Sequence, residues 1–189
     1  IGAEKIVFAL KKKYEKEIAC LREINNKKDY DIEFFLMNSF YPAGDEQILV
    51  YEITGKTVPE GGIPIDVGAV VTNVGTLKNT YFSLSGNPVT DKYVSVLGEV
   101  KLPSIIKVPI GTSVEKCIEA AGGSSLDQYS IILGGPMMGQ NLSKEEAAET
   151  FITKRDGAVI VVPKDHFIIE RNKQSIEHIK NQEKAACRQ

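Results

Sequence analysis

No run of apolar residues in this 189-residue chain approaches the roughly 20 that a bilayer-spanning helix needs; the longest are of the kind found at 158–163. The sequence therefore reads as that of a soluble protein without a transmembrane segment. Cysteine is scarce, with three residues at 20, 117 and 187, an odd and widely spaced set. This argues against a disulfide framework and for a reducing compartment, the cytoplasm by default. Charge of one sign is not in excess: 23 basic and 25 acidic side chains give a net −2, so a nucleic-acid partner is not expected. The two histidines, His166 and His178, lack a Cys or His at ligand spacing and read as surface or capping residues. No basic segment followed by an apolar stretch opens the chain, so no signal peptide is visible. What is present is 42% hydrophobic and 25% charged residues, enough to bury a core in one or two compact domains.

The apolar pattern reads as strand, amphipathic helix and strand over 5–10, 10–21 and 31–37, a β-α-β unit that predicts a parallel sheet. Cys20 falls in that helix and reads as a half-buried small hydrophobe. The run Lys11-Lys12-Lys13 reads as a solvated face of the same helix. A short helix is predicted at 47–53, ended by Gly55, and a long Gly- and Pro-rich loop at 57–68, a length that often signals function. A buried strand over 67–72 and a helix over 74–84 follow. From residue 93 the pattern changes to strands at 93–100, 105–109, 129–133 and 158–162 around one helix, with Thr112 as its N-cap, Glu115 at N3 and Gly122-Gly123 beyond its end. That order suits a small α+β domain. A last helical segment from 167 to 186 carries Ile168, Ile169, Ile176 and Ile179 and is expected to dock on something outside the chain.

The most specific stretches are Tyr41-Pro42-Ala43-Gly44, the loop Val58-Pro59-x-Gly61-Gly62-x-Pro64-x-Asp66-Val67-Gly68, Asn73-Val74-Gly75-Thr76, and Gly134-Gly135-Pro136-Met137-Met138-Gly139. On these motifs the chain resembles the RnfC-like and NADH:quinone oxidoreductase flavoprotein subunits; Pro163-Lys164-Asp165-His166 before a helix and Ala186-Cys187-Arg188-Gln189 resemble the cobalamin-reductase-like and proline-reductase-associated variants of that family. The resemblance implies an α/β fold: part of a parallel-sheet flavin domain at 1–90, an SLBB β-grasp domain at 91–166, and a C-terminal helix at 167–189 leading to an iron–sulfur segment. A start at Ile1 on an element boundary and a stop just after Cys187 lead us to expect an internal piece of a longer protein.

Members of that family take hydride from NADH on FMN and pass electrons to iron–sulfur clusters. By resemblance, Asn73, Gly75 and Thr76 stand where the family's Asn-Val-(Glu or Gly)-Thr motif approaches the flavin. Gly44, Asp45 and Glu46 align with its Gly-Glu-Glu segment beside flavin and nicotinamide nucleotide. On residue chemistry alone, Asn73 serves equally well as a helix cap, and Asp45 and Glu46 as acids drawn to a helix start. Asp45 is one methylene shorter than the family's Glu. Cys187 is placed as the first thiolate of a [4Fe–4S] site that needs further ligands.

No Gly-x-Gly-x-x-Gly occurs anywhere in the chain, so the family's phosphate loop is expected upstream of Ile1. The piece alone is therefore expected to bind FMN weakly or not at all, to hold no cluster, and to be inactive without its parent. The parent is expected to be an NADH-dependent oxidoreductase delivering electrons to a partner reductase or membrane complex, in the cytoplasm or peripherally at the inner face of a membrane. Two alternatives belong to other classes: a β-grasp module that captures a soluble ligand such as a cobalamin, and an interaction scaffold. The Gly134–Gly139 segment is expected to be structural, packing one domain on the other.

Overall fold

A computed structural model describes residues 2–172. The chain divides into two compact units, residues 1–80 and 81–189. The expected boundary lay ten residues later, at 90.

In the first unit, β1 (Ile6–Lys11) and β2 (Ile32–Met37) pair in parallel through α1 (Glu15–Lys28). Phe8 and Phe34 stand opposite each other in this register and meet edge to face, with ring centroids 5.8 Å apart. The helix begins five residues later than the apolar spacing predicts, so Lys12 and Lys13 lie in the connection before α1 and not on its face. It also runs on through Lys28. Asp29, in the left-handed region at φ 51°, then turns the chain, and its N–H reaches back to Asn26 O. Ile18 is the buried residue of α1, and Cys20 is exposed, not half-buried. The remaining core of this unit is small: Met37, Leu49, Val50 and Val58.

The predicted strand at 67–72 does not form. Pro64–Val67 is a single 3-10 turn closed by Gly68, and residues 69–73 join no strand ladder, with Val70 and Val71 exposed. Branched residues supply the propensity for a strand, but a strand exists only where a neighbour accepts its hydrogen bonds. Helix α3 (Val74–Leu84) follows as predicted and has no buried residue. Val74, Leu77, Tyr81 and Leu84 recur along it at helical spacing and are all exposed.

The second unit is a five-stranded sheet in the order β4-β3-β7-β5-β6. Its strands are β3 (Asp91–Gly98), β4 (Ser104–Pro109), β5 (Tyr129–Leu133), β6 (Gln140–Ser143) and β7 (Ala158–Pro163). Only the β3–β7 pair is parallel; the others are antiparallel. Alternation sends Val94, Val96, Ile131, Leu133, Val159 and Val161 to one face, where α4 (Val114–Ala120) adds Val114, Cys117 and Ile118. The opposite face carries Ile132 and Val162, and these are covered by Ile169 of α6 (Phe167–Asn172), with Ile168 beside it. The start of the last helical segment thus docks on this unit's own sheet, contrary to the expectation of an external partner. Ile176, Ile179, His178 and Cys187 lie outside the described residues.

Two elements lack the expected sequence signal. Strand β6 is a polar edge strand whose one buried residue is Leu142, and α5 (Glu146–Glu149) is a single turn. The cap of α4 also differs: Ser113 Oγ accepts from the Lys116 N–H at 3.3 Å, while the Thr112 hydroxyl donates to Pro109 O.

Candidate functional site

The residues singled out in the first unit gather at two helix starts. Tyr41-Pro42-Ala43-Gly44 forms a turn, with a cis Tyr41–Pro42 peptide, in which Ala43 N–H donates to Phe40 O and Asp45 N–H to Pro42 O. Gly44 has φ 101°, a conformation that L side chains rarely adopt, which accounts for glycine there. Asp45 is the N-cap of α2 (Glu46–Thr54), and its Oδ1 accepts from the N–H groups of Gln47 at 3.0 Å and Ile48 at 3.3 Å. The carboxylate therefore satisfies two of the donors that a helix start leaves open. Glu46 follows in the first turn, exposed.

The second start is built from Asn73. Its Oδ1 accepts from Gly75 N–H at 2.8 Å, and its carbonyl accepts the first helical bond, from Leu77 N–H at 3.0 Å. This is capping geometry, the plainer of the two roles open to Asn73 on its chemistry. A Cβ on residue 75 would stand 3.1 Å from Asn73 Oδ1, so the small residue at 75 leaves the cap room. The cap leaves the Asn73 amide nitrogen and the N–H groups of Val74 and Thr76 without partners among the described residues. Thr76 is exposed, and its carbonyl accepts from the Thr80 hydroxyl.

The long loop between the two starts is internally tied. Asp66 Oδ2 accepts from Ile63 N–H at 2.8 Å, and Gly62 packs so closely that a Cβ would meet Asp66 Oδ2 and Pro59 O at 3.0 Å each. Lys56, just past the Gly55 cap of α2, donates from Nζ to Val67 O at 3.0 Å and pins the far end of the loop.

These donors suit the polar edge of a ring or an anionic group: an amide, a hydroxyl and two free N–H groups at the positive end of a helix of eleven residues. FMN is in that sense chemically compatible with Asn73, Gly75 and Thr76. No Gly-x-Gly-x-x-Gly phosphate loop lies among the described residues. An iron–sulfur cluster does not fit them either: no group of three or more His, Cys, Asp or Glu converges, Cys117 is buried in the β-grasp core, and Cys20 stands on α1. The glycines of 134–139 form a tight tip between β5 and β6. Gly139 has no room for a Cβ beside Gly135 O and Leu133 O, and Met138 at the tip is 96% exposed. His166 Nδ1 accepts from Ile168 N–H at the start of α6, a capping role.

Residues 1–81 match the Nuo51 FMN-binding domain and residues 93–141 the SLBB domain. The chain is 34% identical over all 189 residues to cobalamin reductase PduS of Citrobacter freundii, of which it covers 41%. It is 37% identical over 123 residues to a component of the Na(+)-translocating ferredoxin:NAD(+) oxidoreductase complex of Acetobacterium woodii, a match covering 64% of this chain and 27% of that one. Among solved structures, an NAD+-reducing [NiFe]-hydrogenase in the H2-reduced state superposes with a TM-score of 0.71 over 86% of this chain and 34% of that one. At 22% identity, that likeness speaks to the fold. The chain spans about two fifths of the length of the cobalamin reductase relatives. The two domain models and these relatives together support an RnfC-like family.

Proposed function

We propose that this chain is the central part of an electron-transfer flavoprotein subunit that oxidises NADH through FMN and delivers electrons, by way of iron–sulfur clusters, to a partner reductase or membrane complex. The observation that carries the reading is the Asn73-capped start of α3, where an amide, a hydroxyl and free backbone N–H groups lie exposed together. When bound, FMN supplies the hydride acceptor and the one-electron steps. The chain's own contribution is to hold the ring. Asn73 Nδ2 and the N–H groups of Val74 and Thr76 would donate to its polar edge, and Gly75 keeps that approach open. Glu46, next to the Asp45 cap, would accept hydrogen bonds from ribose hydroxyls or a carboxamide of the nicotinamide nucleotide.

Domain roles follow the same reading: residues 1–90 as flavin-domain portion, 91–166 as SLBB domain, and 167–189 as the lead into an iron–sulfur domain whose first thiolate is Cys187. The phosphate cradle would come from a parent chain of the relatives' length, working in the cytoplasm or at the inner face of a membrane. The test is an absorbance spectrum of the full-length parent. Flavin and iron–sulfur bands bleached by NADH support the proposal, and a parent with neither band ends it. Titration of the 189-residue chain with FMN is expected to give weak or no binding, and tight binding would show that the phosphate cradle is not needed.

A further inference from the structure

One end of the β-grasp unit holds a preformed cleft that takes no part in the flavin reading. Two adjoining cavities of about 440 and 540 Å³ share Ile110 and Gly111 as a common floor. The walls are the loop at 109–113 and the turn at 151–155, and they are laced together: Gly111 N–H donates to Ile152 O at 2.9 Å, and Ile152 N–H to Thr112 O at 2.8 Å. The backbones of the two walls are therefore tied to each other.

Its two lobes differ in chemistry. In the first, Phe151 lines the wall while 53% exposed, an apolar surface of a size that a folded chain usually buries. In the second, Lys154 and Arg155 line the wall and form no ion pair with a described residue. The nearest acid in sequence, Asp156, is engaged by Thr153, whose N–H and hydroxyl donate to Oδ2 at 2.7 and 2.6 Å. Lys92 Nζ donates to the Lys154 carbonyl and steadies the turn from β3. Glu115 is the one acidic side chain lining either lobe, and it lies on the Phe151 side together with Lys116. Each lobe has a volume in the size range of small-ligand sites and is open to solvent.

We propose that this cleft binds a small ligand with a flat apolar body and an oxyanion, the body against Phe151 and Ile110 and the phosphate or carboxylate on Arg155 and Lys154. A guanidinium suits such an anion because its planar fork donates two parallel hydrogen bonds. Ligand capture here does not depend on whether residues 41–76 meet a flavin.

The experiment is an NMR titration of the 189-residue chain with adenosine 5′-monophosphate as probe, and with adenosine and inorganic phosphate in separate arms. The nucleotide is expected to shift amides of 110–113 and 151–155, and each half alone to bind more weakly. Arg155→Glu is expected to weaken binding by about tenfold or more, with Arg155→Met as a second variant should the reversal disturb the turn. Lys164→Glu, at the other end of β7, should leave it unchanged. Absence of shifts in those two segments at about 10 mM probe overturns the proposal. Equal weakening by Arg155→Glu and Lys164→Glu also overturns it, because the attraction would then belong to net charge and not to the cleft.

Discussion

Gly98 sits against the carbonyl oxygen of Val161, its partner in the parallel β3–β7 pair, so closely that a Cβ at 98 would overlap that oxygen. Glu99 N–H donates to the same oxygen at 2.9 Å, and Gly98 itself has φ 82°. Position 98 is thus closed to a side chain both sterically and conformationally. Gly98→Ala is expected to destabilise the β-grasp unit by about 2 kcal/mol or more, read as a fall in the midpoint of chemical denaturation. A midpoint within error of the parent sequence would show that β3 can shift away from Val161.

Asn73 holds a capping oxygen and an uncommitted amide nitrogen on one side chain, and two substitutions separate them. Asn73→Asp keeps the acceptor for Gly75 N–H, and Asn73→Ala removes it at a cost of about 1 kcal/mol to α3. In the full-length parent both are expected to weaken FMN binding, measured by flavin fluorescence on dilution. Only the alanine variant should also lose protection of α3 amides in hydrogen exchange. FMN affinity unchanged in the aspartate variant would reduce Asn73 to a cap.

The two described cysteines should behave as opposites towards a thiol reagent. Cys20 is exposed on α1, while Cys117 is buried in the β-grasp core, where burial pushes its thiol above the ordinary range. Peptide mapping after brief alkylation near neutral pH should find Cys20 modified and Cys117 intact. Modification of Cys117 is expected only once denaturant unfolds the second unit.

Ile169 is 5% exposed and seals Ile132 and Val162 on the outer face of the sheet. Ile169→Ala is expected to cost about 2 kcal/mol, the low end for a buried isoleucine because α6 covers the sheet from its surface. Denaturation together with exchange of the α6 amides checks this. Loss of α6 protection with little change in the midpoint would show that the helix docks without supporting the sheet.

Much of this fold was legible because period and punctuation agree. The β-α-β pattern, the α2 stop at Gly55 and the strands around 93, 105, 129 and 158 all pair apolar spacing with a turn residue at the right place. Reading failed where partners decide. Val70 and Val71 have strand propensity without a neighbouring strand, and β6 is recruited to an edge through Leu142 despite a polar sequence. Ser113 and Thr112 are adjacent hydroxyls equally able to cap; the backbone bond from Val114 N–H to Thr150 O marks where the loop ends and selects Ser113. For the candidate site, the motifs located Asp45 and Asn73, but spacing alone could not disclose that both side-chain oxygens are already engaged by their own helices. The cleft at 109–113 and 151–155 has no sequence signature, since its walls come from segments some forty residues apart.

The Lys56–Val67 bond bears on how such chains can vary in length. Because an ammonium fixes both ends of the loop, extra residues inserted near Glu60-Gly61 would enlarge a ring that is already closed, and closure entropy grows only slowly with ring size. Relatives could therefore lengthen or shorten this excursion over evolutionary time while the segment leading to Asn73 keeps its distance from the end of α2.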